Sequence, residues 1–264
     1  MRTGSDKDWP VVSTQRPVVI VTGAAGRLGS GIAAVLAQRG ARLVLVDISE
    51  AALAGLRGRL GHRAEVATVV ADATDPDAAR VSFDEAVQRF GRADVLVNNA
   101  GSEGPIARAE DLDLAEVRAL FEVNVFAMLT FSQEALRRFR AQGHGRIVNM
   151  ASGAGLSGSA LMAAYSASKH AAVGLTRSIA REVADVGIQV NAVCPGCVDS
   201  PMMERIESRI GQIQGTGPAS FIPAIPARRY CDPAEVGVLV AWLALDAPDY
   251  VSGSTQVIDG ALRA

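Results

Sequence analysis

The chain is poor in the residues from which metal, disulfide and nucleic-acid sites are built. Its 264 residues include only three cysteines, three histidines, three tyrosines and two tryptophans, with a formal charge of −2. Three cysteines leave no even disulfide framework. Cys194-Pro195-Gly196-Cys197 has C-x-x-C spacing, but only Cys231 remains to extend it, and His62, His144 and His170 are scattered. A metal site needs further ligands at matching spacing, so none is expected, and the run reads as small residues around a Pro-Gly turn. Without a basic stripe there is nothing to hold a phosphate backbone, and no run of about 18 apolar residues offers a membrane span. Neither nucleic acid nor a membrane is an expected partner. Residues 1–16 are polar and lack the apolar core of a secretion signal, so they are expected to be a disordered leader. One domain is expected over 17–264, in a reducing cytoplasm.

What the chain does have is glycine, 26 residues of it, and a 49% hydrophobic share. Apolar β-branched runs at 17–21, 42–46, 65–70, 94–97, 146–150, 188–193 and 255–258 alternate with helical periodicity. The helical stretches fall near 50–59, 76–90, 113–141, 161–186 and 233–245. Strict alternation of this kind predicts right-handed crossovers and an α/β, doubly wound parallel sheet. The exception is 196–230, where a short helical piece at 202–210 is followed by Gly- and Pro-rich sequence. Its apolar residues favour a substrate lid over about 201–226.

Thr22-Gly23-Ala24-Ala25-Gly26-Arg27-Leu28-Gly29 follows the first strand and opens a helix. A strand that breaks at glycine and restarts as a helix presents backbone N–H groups to a diphosphate. Gly23, Gly26, Arg27, Leu28 and Gly29 are therefore candidate cofactor contacts. Asp47 ends the second strand, close to the ~20-residue interval at which an acid reaches the adenosine ribose. A carboxylate there accepts from the free diol of NAD and repels the 2′-phosphate of NADP, so NAD is the expected cofactor. Arg27 and Arg42 stand nearby as groups that can pair with a phosphate instead.

Tyr165-Ser166-Ala167-Ser168-Lys169 places a phenol and an ammonium at i and i+4 on one helix face. Lowering a tyrosine pKa from about 10 toward 7 takes roughly 4 kcal/mol of differential stabilisation. Lys169, aided by an oxidised nicotinamide cation, is expected to supply it. Ser152 stands just past a strand end, on the sheet edge where ligands bind in such folds, as does Asn98-Asn99-Ala100-Gly101. Asn124 lies in an apolar helical stretch and must be hydrogen-bonded if buried, which by itself is reason enough for it.

Together TGAAGRLG, Asp47, NNAG at 98–101, Asn124, Ser152, YSASK at 165–169 and NAVCPG at 191–196 resemble the short-chain dehydrogenase/reductase family. The resemblance covers about residues 16–260. It implies a Rossmann-type sheet of seven parallel strands flanked by helices, and hydride transfer between a nicotinamide cofactor and an alcohol or carbonyl. It implies Tyr165 as acid/base, Lys169 on the nicotinamide ribose, Ser152 on the substrate oxygen and Asn124 beside a proton-relay water. Further implied cofactor contacts are Asp72, Asn98, Gly101, Pro195, Gly196, Val198 and Ser200. The family's usual TGxxxGxG is altered, since the middle glycine stands one place early at Gly26 and Arg27 takes its position. Ser200 stands for a threonine and Ala151 for a serine. The resemblance also implies subunit pairing through the long helices, hence a homotetramer.

The substrate is expected to be a small molecule. Met202, Met203, Ile206, Ile210, Ile213, Phe221 and Ile222, with Leu156, Leu161 and Met162, form an expected lining with little charge. That suits a neutral, cyclic or medium-sized secondary alcohol or ketone. Short stretches at 98–105 and 229–230 are similar to family members acting on cyclic ketones. Glu103 either meets a second polar group or caps a loop. The alternatives are a 3-oxoacyl carrier-protein reductase, for which Arg137, Arg138 and Arg140 offer a basic surface, and a catalytically silent nucleotide sensor.

Overall fold

The computed structural model describes residues 16–62, 64–218 and 220–264. The expected leader therefore lies outside the described residues except for Arg16, which is tied down: its Nε donates to the Gly40 carbonyl at 2.7 Å. The strands are β1 (Val18–Thr22), β2 (Arg42–Asp47), β3 (Val66–Val70), β4 (Val95–Asn98), β5 (Gly145–Met150), β6 (Ile188–Pro195) and β7 (Thr255–Ile258). All pair in parallel, in the order β3-β2-β1-β4-β5-β6-β7. The order reverses between β1 and β4, and that crevice at the carboxyl ends of the strands is where open α/β sheets bind ligands.

The helices are α1 (Arg27–Gln38), α2 (Glu50–Leu60), α3 (Ala78–Phe90), α4 (Leu114–Phe121), α5 (Ala127–Gln142), α6 (Ala163–Val183), α7 (Pro201–Gln214) and α8 (Pro233–Ala241). Every residue of β1, β4 and β6 is buried, as continuous apolar strands covered on both faces require. One apolar core joins β1 and β2 to α1, α2 and α8, and a second joins the opposite sheet face to α3, α5 and α6. Helices α1 and α8 pack backbone to backbone. A Cβ on Gly31 would meet Pro233 at 2.7 Å, and one on Gly237 the Gly31 carbonyl at 2.9 Å.

Two elements differ from the sequence expectation. The helix expected over 113–141 is divided: a π-turn at Glu122–Phe126 separates α4 from α5. The lid helix is longer than expected. Ser200 caps it by accepting from the Met203 amide at 3.3 Å, Pro201 opens it, and Gly215 closes it in the left-handed conformation at φ 69°.

Candidate active site

A cleft of about 850 Å³ runs along the carboxyl edge of the sheet, from the Gly23–Gly29 turn past Asp47, Ser152 and Tyr165 to the underside of α7. At its first end the turn is built for close approach. Gly23 has φ 60°, and a Cβ on Gly29 would lie 2.2 Å from the Gly23 carbonyl oxygen. Gly26 sits at the N-cap of α1 with no capping side chain, and no acid occupies the first turn. The amides that open α1 are thus left for an anion, and the helix dipole favours one. This arrangement fits a cofactor diphosphate. Displacing the middle glycine has a local consequence, because Arg27 becomes the first helical residue and reaches Asp199 at 3.4 Å.

Asp47 turns its carboxylate to the same cleft. Oδ2 accepts from the Ala25 amide at 2.9 Å and Oδ1 from the Ser49 amide at 3.2 Å. The acid therefore steadies the glycine turn as well as facing the space beyond it. Asp72 also lines the cleft, its Oδ1 held by the Thr74 amide and hydroxyl at 2.9 and 2.8 Å. Gly101, Pro195, Gly196, Val198 and Ser200 line it too.

Asn98 does not. It is 3% exposed, and its amide donates to Asn149 Oδ1 at 2.8 Å and Ser132 Oγ at 3.1 Å, inside the helix-covered face of the sheet. Side chains alternate along a strand, so the neighbour takes the cleft position. Asn99 Nδ2 donates to the carbonyls of Thr22 and Gly23 at 3.0 and 2.9 Å, binding β4 to the glycine turn. Of the pair it is Asn99, not the expected Asn98, whose side chain stands on the cleft wall.

The four candidate catalytic residues converge. Ser152, just past β5, stands close enough to Tyr165 to pull the phenol's pKa down, while its Oγ accepts from the Ala154 amide at 3.1 Å. Lys169 is 5% exposed; its Nζ donates to the Met150 carbonyl at 3.0 Å and lies 5.8 Å from the centre of the Tyr165 ring. Asn124 falls within the π-turn and is fully buried. Its Oδ1 accepts from the Ser102 amide at 2.9 Å, and its Nδ2 donates to the Ser102 carbonyl at 3.0 Å and to Ser168 Oγ at 3.1 Å. Three of that amide's four hydrogen-bonding positions lock the β4 loop onto α6.

Burial pushes the Tyr165 phenol above its usual 10, the Ser152 hydroxyl opposes this, and the Glu103 charge adds to it. Burial pushes Lys169 down to about 8. In the protein alone, then, burial disfavours the charged form of both side chains.

The lid side is apolar. Ile106, Met162, Ile206 and Ile210 form a buried cluster, with Leu161, Tyr165, Met202, Ile213 and Phe221 packed against it. Leu156 and Ile222, expected in the lining, are each 37% exposed and outside the cleft wall. Glu103 does more than cap a loop. It accepts from Arg205 Nε and Nη2, fastening α7 to the β4 loop. Tyr230 donates to Glu207 and accepts from the Phe221 amide at 3.2 Å, so the chain after α7 is strapped to it. Arg205 and Arg263, which sequence reasoning did not consider, also stand on the wall.

Cys194, Cys197 and Cys231 are free thiols, and burial pushes all three upward. Reactive cysteines are shifted the other way.

Residues 17–211 match the short chain dehydrogenase family profile. The chain belongs to that family. It is 38% identical over 249 residues to cis-4-hydroxycyclohexanecarboxylate dehydrogenase of Sinomonas cyclohexanicum, covering 94% of this chain and 96% of the relative. Levodione reductase of Leifsonia aquatica is 35% identical over 250 residues, covering 92% of each. A solved levodione reductase structure superposes with a TM-score of 0.87 at 35% identity, covering 93% of this chain and 96% of the other. An actinorhodin polyketide ketoreductase solved with NADPH gives a TM-score of 0.90 at 30% identity, covering 96% and 99%. The seven-stranded sheet and its Rossmann-type order are those of the short-chain dehydrogenases, and the protein is an oxidoreductase of that family.

Proposed function

We propose that the protein transfers a hydride between NAD(H) and a cyclic or medium-sized secondary alcohol or ketone whose ring or chain is neutral and apolar. The observation that carries this reading is Ser152 and Tyr165 on one cleft wall, set between an apolar lid and a glycine turn with Asp47 beyond it. Support for a cyclic substrate comes also from the two relatives named for cyclic compounds.

The residues divide the work. Gly23, Gly26, Arg27, Leu28 and Gly29 bind the diphosphate through the amide end of α1, and Asp47 accepts from the adenosine ribose. Asp72, Gly101, Pro195, Gly196, Val198 and Ser200 line the remaining cofactor space. A nicotinamide, when bound, gives or receives the hydride and carries positive charge in its oxidised form. Ser152 and Tyr165 hold the substrate oxygen. In reduction Tyr165 Oη gives its proton to the oxygen as charge develops there; in oxidation it takes the alcohol proton. Lys169 binds ribose hydroxyls while the Met150 carbonyl fixes its ammonium. Asn124 keeps the β4 loop against α6, so that the floor of the cleft stays closed to bulk water.

Support for a carrier-protein substrate is weak. Arg137 and Arg138 are paired with Glu134, Arg138 also with Asp84, and Arg140 donates to the Glu182 carbonyl. The deciding experiment is turnover of cyclic ketones with NADH by wild type and Tyr165→Phe. A phenyl ring packs but carries no proton, so loss of most turnover with unchanged NADH binding is expected. Wild-type rates in the purified variant overturn the mechanism.

A further inference from the structure

Two of the three arginines on the cleft wall, Arg205 and Arg263, are in opposite states. Arg205 spends both Nε and Nη2 on Glu103, and its charge is matched. Arg263, in the turn after β7, is paired only loosely, with Asp259. Its side chain is 24% exposed, and its guanidinium lies directly on Gly153, the residue after Ser152: a Cβ there would come within 2.2 Å of Nη1. Nε donates to Ser157 Oγ at 2.9 Å. Nη1 stands 3.5 Å from Asp259 Oδ2, and both atoms are buried with no hydrogen-bond partner. Among the described residues nothing accepts from Nη2.

A guanidinium is permanently charged, and its donors are costly to bury unmatched. Here one nitrogen is anchored, one faces a carboxylate across a gap too long for a good bond, and one is left for a ligand. The position is specific. Resting on Gly153 and Ser157, the group stands on the β5–α6 side of the cleft, beside the residue that follows Ser152. Around it Leu262 and Cys197 are uncharged, and the carboxylate it faces, Asp259, is held on the Nη1 side.

We propose that Arg263 receives a carboxylate carried by the substrate, at a ring position remote from the reacting carbon. The substrate class is then a cyclic hydroxycarboxylate and the corresponding oxocarboxylate, with the apolar ring under α7 and the anion on Arg263 Nη2. This rests on the alcohol/ketone reading above and narrows it. Ser157 acts as a positioning residue, holding Nε so that the fork faces the cleft. A carboxylate gains from a charge-assisted bond that a carboxamide of the same shape does not make.

The test compares two probes on the full-length protein with NAD: cis-4-hydroxycyclohexanecarboxylate and its carboxamide. Wild type is expected to favour the carboxylate in kcat/KM. In Arg263→Gln the carboxylate-to-carboxamide ratio falls by about ten- to a hundredfold, and Arg263→Lys restores part of it. Thermal melting of each variant checks that the fold is kept. Equal kcat/KM for the two probes in wild type, or an unchanged ratio in Arg263→Gln, overturns the proposal while leaving the alcohol/ketone reading intact. Failure of wild type to oxidise either probe or to reduce any simple cyclic ketone overturns that reading, and this proposal with it.

Discussion

The Lys169 ammonium lies 5.8 Å from the centre of the Tyr165 ring, yet its hydrogen bond goes to the Met150 carbonyl at 3.0 Å. The two side chains share a helix face without sharing a proton. Lys169 is therefore a buried charge kept for a ligand, and it weakens the fold that holds it.

That cost has a sign and a pH window. The pKa of Lys169 in the fold, about 8, lies below its ordinary 10.5. Below pH 8 folded and unfolded chains are both protonated, so the penalty is fully present. As pH rises from 8 to 10.5 the folded protein releases its proton first, and the penalty is relieved. Lys169→Met is expected to be more heat-stable than wild type at pH 7, by up to about 3 kcal/mol less what the Met150 carbonyl loses. The gap should close toward pH 10, while NADH binding weakens. Calorimetry at pH 7 and 10 checks it; a variant less stable at both pH values refutes it.

Ser152 and Glu103 push the Tyr165 phenol in opposite directions. Ser152→Ala should move the acid limb of alcohol oxidation to higher pH and lower the rate, by about 10²-fold for a lost general-acid/base partner. Glu103→Gln should move the limb to lower pH and, by releasing Arg205, raise KM. Profiles of kcat/KM against pH separate the two; limbs moving the same way would contradict the assignment.

Asp47 sets the expected choice of cofactor. NADH should be used more efficiently than NADPH, and Asp47→Ala should shrink the difference about tenfold or more, the loss of one charge-assisted bond. Because Asp47 also holds the Ala25 amide, NADH affinity itself should fall. Equal efficiency with both cofactors in wild type excludes the role.

Much of the fold was legible in the sequence. The buried parallel strands are written as continuous β-branched runs, and the Gly23–Gly29 turn with Asp47 as a local pattern of fixed spacing. The choice between Asn98 and Asn99 was not legible, since one residue at a strand end reverses the face. Nor was the π-turn, whose single extra residue is lost within helical periodicity. The Glu103–Arg205 pair joins residues 102 positions apart, which no local pattern encodes. The direction of the Tyr165 shift depends on how dry the cleft is, a property of the packed molecule.

A homotetramer is expected. Large apolar side chains remain exposed on two separate faces: Leu114 and Phe126 along α4 and the π-turn, and Val238, Trp242 and Val257 along α8 and β7. Two self-pairing faces close into a tetramer with dihedral symmetry. Light scattering at micromolar concentration should give four times the 27.5 kDa chain mass; a monomer refutes it.

The π-turn at Glu122–Phe126 also makes the chain's length critical at that point. A helix advances about 100° per residue, so deleting one residue there would restore a regular helix and swing α4 by that angle about the axis of α5. Asn124 would leave Ser102 and Ser168, and Leu120, now buried against the glycine loop at Gly104, would point elsewhere. Single-residue deletions should thus be lethal between 122 and 126 and tolerated around 215–218, although both stretches lie outside the sheet. For this chain, insertions and deletions are a sharper probe of the active-site floor than substitutions.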